Sequence, residues 1–395
     1  MSESTWTRRA RRWRSVAVVA GWQTAASLCY YSIFAATGFV RETFGVSESR
    51  VGLFLTAALL GYTVSLFPSG AAVDGYGEKR VMTAGLLALG VASVGVTLAP
   101  TYALLLLAGA LLGAAYSTAM PGTNRGIVAG APPGRANLAM GLKQVGVTAG
   151  SGVSSLLVTG IAAIAAWQVG FWAVAVLAGV YAAGFAVVYR GKAGSGEVTW
   201  PEMSGLASNR AYVALVAAGF FLGASIFSML GYTVLYVQDV VGTGAAVAGA
   251  VLAATQVTGS VGRIGAGTLA DRLGGARGAA TVALAQLAAG AGLFVVLVSG
   301  GDSLLVTAAV FVGLGVTIHG STGVFYSCLS DVVDADDIGA ATAGGQTGLN
   351  TGGLLAPPAF GLIVESAWGY DAAWAFVTAL AVTGAALLFV VRRRV

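Results

Sequence analysis

The chain has 395 residues, of which 57% are hydrophobic and only 9% are charged. Soluble domains carry about 25% charged residues, so this composition excludes a soluble globular protein and indicates an integral membrane protein. The formal net charge is +5, but the basic residues lie between apolar stretches and form no single patch, which argues against nucleic-acid binding.

Ten stretches that contain no Asp, Glu, Lys or Arg follow one another along the chain. About 20 apolar residues suffice to span a bilayer. Two of the stretches, 81–124 and 144–189, have twice that length, and we expect each to fold as a helical hairpin, with breaks at Pro100-Thr101 and near Ala165–Gln168. The sequence therefore predicts an all-α integral membrane protein with twelve transmembrane helices.

The first stretch, 16–40, follows an arginine-rich segment at 8–14. This order is typical of a signal peptide, but the stretch is long and has no cleavage site of the usual kind, so we interpret it as a retained first span. Since twelve spans are an even number, both termini lie on one side. Seventeen Lys and Arg fall on that side and only Arg41 and Arg50 on the other. The positive-inside rule therefore predicts cytoplasmic termini in a multi-pass protein of the cell membrane.

A polar, Gly- and Ser-rich stretch at 190–210 separates the predicted spans into two sets of six. We therefore predict a basic cytoplasmic N-terminal tail at 1–15, a six-helix bundle at 16–189, a cytoplasmic linker at 190–210, a second six-helix bundle at 211–391 and a cytoplasmic C-terminal tail at 392–395.

A short phrase occurs after the second span of each half, 197 residues apart. The first copy contains Gly70, Asp74, Gly77, Lys79 and Arg80, and the second contains Gly267, Asp271, Arg272, Gly274 and Arg277. Glycine permits a tight turn with positive φ, and an aspartate beside a helix N-terminus meets the positive end of the helix dipole. The repeat predicts two related halves, and in a membrane protein this geometry places a site on the pseudo-symmetry axis between them.

The complete phrase at 70–80, the twelve predicted spans and the central linker resemble the major facilitator superfamily of secondary transporters. This resemblance implies two six-helix halves that rock against each other. It also implies that the two aspartates close the cytoplasmic side, Asp74 at the start of span 11 (339–342) and Asp271 at the start of span 5 near Asn137.

Few polar residues lie in the middle of the predicted spans, and none of them is a carboxylate. The resemblance implies a central cavity lined mainly by spans 1, 4, 7 and 10. The candidates for this cavity are Tyr30, Tyr31, Phe227, Tyr232, Gln256, His319, Gln346 and Asn350. Helix–helix hydrogen bonds would satisfy the same polar groups equally well.

Three ionisable residues within the spans are candidates for charge binding or ion coupling: His319, Arg263 and Lys143. A cationic cavity floor for an anionic substrate is one interpretation of Arg263 and Lys143. Snorkelling to the interface, or pairing with an aspartate, is the alternative. His319 is the one histidine of the chain, and we expect it either to pack through hydrogen bonds or to bind substrate or a proton.

We therefore expect a secondary active transporter that moves a small solute, by symport or uniport, through alternating access. An organic anion or polar metabolite is favoured, because no carboxylate in mid-span is available to bind a cation. An exporter of amphipathic, drug-like compounds and a non-transporting nutrient sensor of the same fold are the alternatives.

The partners implied are the small-molecule substrate, a coupling proton or other ion, and the lipid bilayer, and we expect a monomer. No nucleophile, metal-ligand set or acid pair stands out, so we expect neither an enzyme nor a bound metal or cofactor.

Overall fold

The computed structural model describes residues 5–133, 135–191, 193–196, 205–299, 303–334 and 338–395. This part of the chain is helical and contains no strand. The helices before the linker are α1 (Thr5–Ala35), α2 (Thr37–Phe44), α3 (Glu48–Tyr76), α4 (Glu78–Leu98), α5 (Tyr102–Tyr116), α6 (Ala119–Gly130), α7 (Ala136–Ala162) and α8 (Trp167–Val188). Those after it are α9 (Arg210–Asp239), α10 (Ala245–Leu273), α11 (Gly275–Val298), α12 (Leu304–Leu314), α13 (Thr322–Asp331), α14 (Ile338–Val364) and α15 (Gly369–Arg394).

The predicted spans correspond to these helices in order. Ten helical segments of the described chain are long and apolar enough to cross a membrane, with α5 and α6 counted as one segment and α12 and α13 as another. The first and eleventh predicted spans correspond to α1 and α14, which have 31 and 27 residues. Both hairpin breaks are confirmed, because α4 ends at Leu98 and α7 at Ala162.

Side-chain caps explain where two of the helices begin. Thr101 follows the break after Pro100, and its hydroxyl accepts a hydrogen bond from the Leu104 N–H. Asn209 ends the linker, and its Oδ1 accepts from two N–H groups in the first turn of α9, at 3.0 and 3.1 Å. Such caps satisfy backbone donors that have no partner inside the helix.

The chain forms two compact units whose boundaries differ from the linker positions. The first unit contains Met1–Ile33 and Leu60–Trp200, and the second contains Phe34–Leu59 and Pro201–Val395. Segment 34–59, which spans the end of α1, all of α2 and the start of α3, therefore packs with helices of the second half. The predicted bundles, 16–189 and 211–391, follow the sequence repeat. They place segment 34–59 in the first bundle, whereas it packs in the second compact unit.

The sequence repeat is visible in the backbone. Gly77, before α4, has φ 85° and ψ 146°, and Gly274, before α11, has φ 79° and ψ 139°. Only glycine adopts this combination readily. A second pair at the same spacing, Gly45 and Gly242, also has positive φ. The positive φ predicted for Gly77 is confirmed, and the two halves turn in the same way after their second spans.

Arg125 of α6 forms ion pairs and hydrogen bonds with the turn between α3 and α4. Its Nη1 lies 2.8 Å from Asp74 Oδ1 and its Nε lies 3.2 Å from Glu78 Oε2. The same guanidinium donates to the Val73 carbonyl at 3.1 Å and to the Ala193 carbonyl, in the linker, at 3.3 Å. The Glu78 side chain is fully buried, so its charge depends on this cation. One arginine thus holds the repeated phrase and the start of the linker together.

Arg125→Gln should destabilise the protein strongly, because it removes a cation that pairs with the buried Glu78 carboxylate. Loss of one member of a buried ion pair costs about 3–5 kcal/mol, and the partial exposure of Arg125 places the expected loss near the lower value. Denaturant unfolding in detergent measures it. Arg80→Gln, at an exposed cation of the same turn, is the matched control and should change the unfolding free energy by about 0.5 kcal/mol or less. Equal stability of the two variants would contradict a structural role for Arg125.

The topology follows from impermeant labelling of single cysteines in a background without Cys29 and Cys328. Ser195→Cys, in the linker, and Ser47→Cys, between α2 and α3, should react from opposite sides of the membrane. Labelling of both from the same side would contradict the twelve-span arrangement.

Candidate functional site

Two spans at related positions of the halves are interrupted. In span 4, α5 ends at Tyr116 and α6 begins at Ala119, and in span 10 a π-helical turn, Gly315–His319, separates α12 from α13. Ser117 and His319 are 202 residues apart, close to the 197-residue spacing of the repeated phrase. Interrupted helices at corresponding positions mark binding sites in membrane transporters, and π turns are frequent at functional sites.

The π turn places His319 against α10. Widening the helix frees carbonyl groups, and a neighbouring side chain satisfies one of them: Gln286 Nε2 donates to the Val316 carbonyl at 2.9 Å. The His319 ring lies so close to Gly259 that a Cβ there would overlap it. The side chain is therefore held in one place by the turn behind it and by the glycine in front of it.

Arg263 of α10 binds the imidazole of His319. Its Nη2 lies 3.2 Å from His319 Nε2. Since a guanidinium only donates, Nε2 accepts, and the proton of the neutral ring is on Nδ1. His319 is 3% exposed, and its Nδ1 has no hydrogen-bond partner among the described residues. An unsatisfied buried donor costs about 1–3 kcal/mol, so this N–H is a ready site for an acceptor on a ligand.

Gln256 adds an amide to the same face of α10. It precedes Gly259 by three residues and Arg263 by seven, which is the spacing of one helix face. The side chain is fully buried, and neither its Oε1 nor its Nε2 has a hydrogen-bond partner in the described part of the chain. We call Gln256, Arg263 and His319 the Arg263 cluster. It carries one permanent positive charge, and it has two groups that can still donate.

Gln346 and Asn350 bind each other on α14. Gln346 Nε2 donates to Asn350 Oδ1 at 2.7 Å, and the hydroxyl of Tyr326, on α13, donates to Gln346 Oε1. These three side chains link the helices of spans 10 and 11. Part of their hydrogen-bonding capacity therefore serves helix packing.

A second polar cluster surrounds the interruption of span 4 in the first unit. Gln23 of α1 accepts from Thr123 at 3.1 Å and donates to Ser27 at 3.1 Å and to Tyr116 at 3.4 Å. The Tyr30 ring stacks on that of Tyr116, with 4.3 Å between the ring centroids. The candidates had included Tyr30 but not the other four. The signal that could have identified Gln23 was an amide inside an apolar stretch.

Tyr31 and Lys143 also lie in the first unit. The Tyr31 ring meets that of Tyr30 edge to face, at 5.3 Å between centroids. Lys143 is 1% exposed and donates to Asn124 Oδ1 at 2.9 Å and to the sulfur of Met120 at 3.7 Å. Its ammonium is therefore buried among side chains of α6.

Phe227 and Tyr232 of α9 contact segment 34–59. The rings of Phe227 and Phe34 lie 6.2 Å apart. The Tyr232 hydroxyl lies 2.6 Å from the Glu48 carbonyl and 2.9 Å from that of Pro357. The structure therefore places these two candidates in a helix contact and not in the Arg263 cluster.

The repeated phrase lies where expected, at the α3–α4 and α10–α11 turns. The carboxylate of Asp74 is paired with Arg125, as described above. The predicted partners of the two aspartates include side chains at 339–340 and 136–138, which lie outside the described residues, so these two contacts stay predictions. In the described part of the chain, no three His, Cys, Asp or Glu side chains come together as metal ligands.

Comparison with known proteins gives two kinds of relative. The "Probable sulfoacetate transporter SauU" of Cupriavidus necator is 25% identical over 393 residues, a match that covers 91% of this chain and 89% of that protein. Two crystal structures of a bacterial homologue of the human lysosomal transporter Spinster, inward-facing occupied and inward-facing unoccupied, align with TM-scores of 0.79 and 0.80. Each is 14% identical and covers 97% of both chains, so the likeness shows the fold.

The family comparison covers most of the sequence. The model of the Major Facilitator Superfamily matches residues 19–343, which contain the complete phrase at 70–80, both interrupted spans and the Arg263 cluster. The apolar helices, the two interrupted spans and this match together show that the chain belongs to the Major Facilitator Superfamily.

Proposed function

We propose that the protein transports a small organic anion across the cell membrane, with both termini and the linker in the cytoplasm. The observation that carries the proposal is the Arg263 cluster, in which a guanidinium, a buried imidazole N–H and a buried amide lie on neighbouring helix faces. An ionisable side chain within a membrane span is costly and is usually functional. The relative from Cupriavidus necator, named as a probable sulfoacetate transporter, supports an anion as substrate.

The charge and geometry of the cluster favour carboxylate or sulfonate groups. A guanidinium donates in a planar fork that matches two oxygens of an oxyanion, and it is desolvated more easily than an ammonium. The Nδ1–H of His319 and the amide of Gln256 would donate to the remaining oxygens. A cationic substrate would meet the same positive charge and be repelled. Within the alternative of an exporter of amphipathic, drug-like compounds, this argues against substrates that are cationic.

The hydrogen bond between Arg263 and His319 suggests how a proton could accompany the anion. In the structure the guanidinium occupies Nε2, the one ring nitrogen that could accept a proton. An anion that draws the guanidinium towards itself leaves Nε2 exposed beside a new negative charge, which favours protonation. Anion binding and proton uptake would then be coupled without any carboxylate in the middle of a span.

The binding step is tested by thermal denaturation of the purified protein with sulfoacetate, other small carboxylates, sugars and cationic dyes. A ligand that binds the folded state stabilises it by RT ln(1 + [L]/Kd), about 2.7 kcal/mol at a hundred times Kd. We expect stabilisation by an anion, its loss in Arg263→Gln, and its retention in Arg210→Gln, which removes an exposed cation at the start of α9. Stabilisation by the cationic dyes alone would contradict the proposal and favour the exporter.

The coupling step is tested by the pH dependence of uptake into proteoliposomes. Histidine is the side chain that ordinarily titrates between about pH 5 and 8, and glutamine keeps hydrogen bonding but cannot take up a proton. His319→Gln should therefore retain anion binding and lose the rise of uptake on acidification. Wild-type uptake that is flat over this range would exclude His319 as the proton carrier.

A further inference from the structure

The backbone of the π turn leaves one carbonyl without a donor. In an α-helix the N–H of each residue bonds to the carbonyl four residues earlier, so the Gly320 N–H would bond to the Val316 carbonyl. Instead it bonds to the Gly315 carbonyl at 2.9 Å, and the next N–H, that of Ser321, bonds to the Thr317 carbonyl at 3.1 Å. The Val316 carbonyl lies between these two acceptors and is passed over by both donors.

Gln286 of α11 supplies the bond that the backbone omits. Its Nε2 donates to the Val316 carbonyl at 2.9 Å. The orientation of the amide follows from this acceptor, because a carbonyl oxygen only accepts and only the amide nitrogen donates. The Oε1 of the same amide is buried and has no hydrogen-bond partner among the described residues. The bond to Val316 is therefore the contact that orients the Gln286 side chain.

Glycines on both sides keep α10 and α11 close to the turn. On α10, a Cβ at Gly262 would overlap the Val316 carbonyl oxygen. On α11, Gly290 lies one turn after Gln286, and a Cβ there would overlap the side chain of Ile318. Small residues allow membrane helices to approach each other this closely. Since the turn is confined between two helices, a change in its hydrogen bonding is transmitted along span 10 and is not absorbed by a sideways shift.

We propose that Gln286 is a positioning residue for the anion site. Its bond to the Val316 carbonyl keeps span 10 in the π form, and the π form holds the His319 imidazole against Arg263. Without this bond the buried carbonyl has no partner, and it regains one when the Gly320 N–H returns to it and the turn closes to an α-helix. The imidazole, one residue before Gly320, then moves away from the Arg263 Nη2 that donates to its Nε2.

Gln286 acts on the anion through His319, because its own hydrogen bond goes to the backbone of the turn. Its role rests on the proposed function, in which the Nδ1–H of His319 donates to the anion. The placement of the ring, however, is a property of the free protein and has a direct signature. Arg263 can donate only to an unprotonated Nε2, so the neutral ring carries its proton on Nδ1.

The test is nuclear magnetic resonance of the protein in detergent, with ¹⁵N-labelled histidine and no ligand, at about pH 8, where a histidine is ordinarily neutral. His319 is the one histidine of the chain, so the imidazole signals belong to this ring. The wild-type protein should show a protonated Nδ1 and an unprotonated Nε2. Gln286→Met keeps the length of the side chain and removes the donor. The ring should then exchange between its two neutral tautomers, which averages the two nitrogen shifts.

Binding of sulfoacetate is the second measurement. Gln286→Met should bind it about tenfold more weakly than the wild-type protein, the order of one lost hydrogen bond. Where Gln286→Met does not fold, as judged by size-exclusion chromatography, Gln286→Asn should change the spectrum and the affinity in the same direction. Its amide is one methylene too short to reach the Val316 carbonyl.

Thr258→Val is the matched control. The Thr258 hydroxyl also donates from a neighbouring helix to a carbonyl of span 10, that of Val312, at 3.0 Å. This carbonyl, unlike that of Val316, keeps a backbone bond from the Gly315 N–H. Thr258→Val should therefore leave both the spectrum and the sulfoacetate affinity unchanged.

A wild-type ring protonated on Nε2, or a folded Gln286→Met protein with the wild-type spectrum, would overturn the proposal. So would an altered spectrum with unchanged sulfoacetate affinity, because the position of the ring would then have no effect on binding. If the wild-type protein binds no small anion in thermal denaturation, the proposed function fails. The two spectra, recorded without ligand, still decide whether Gln286 places His319.

Discussion

A membrane-spanning chain has to satisfy every backbone polar group inside the protein, because lipid provides no donors or acceptors. Most of this chain meets the requirement with uninterrupted helices. At the π turn and at Pro358, a side chain from another helix supplies a bond to a carbonyl that lacks its helical partner. Gln286 does so for the Val316 carbonyl in the π turn, and Thr56 does so for the Leu354 carbonyl freed by Pro358. His319, a member of the Arg263 cluster, belongs to the π turn.

Two arginines, one in each compact unit, have partners of different charge. In the first unit, Arg125 joins a buried glutamate, the repeated phrase and the linker, so its charge is fully committed to structure. In the second unit, Arg263 faces a neutral histidine. A neutral imidazole does not offset the charge of the guanidinium that donates to it, whereas a carboxylate does. The asymmetry between two arginines in related bundles is thus a chemical reason to place anion binding in the second.

Much of the architecture was predictable from local sequence. Span lengths, the break at Pro100 and the positive φ of Gly77 follow from apolar runs and from the properties of proline and glycine. The π turn at Gly315–His319 was not predictable, because the bond to its Val316 carbonyl comes from Gln286, a side chain of another helix. The pairing of Arg125 with Glu78, and the packing of segment 34–59 on the second half, likewise depend on non-local contacts. Of the eight cavity candidates, His319 contacts Arg263 and Gln256 lies on the same face of α10 as Arg263, while Phe227 and Tyr232 contact segment 34–59.

Arg41 forms an ion pair with Asp239, and the sequence repeat relates both residues to positions in the other half. At the repeat spacing of 197 residues, Arg41 corresponds to Gln238, and Asp239 corresponds to Glu42. The acidic position is therefore present in both halves, while the basic position is present in one. A duplicated ancestor with identical halves would have carried two such arginines or none. The pair therefore makes the two related halves chemically unequal, because only one of them supplies the arginine.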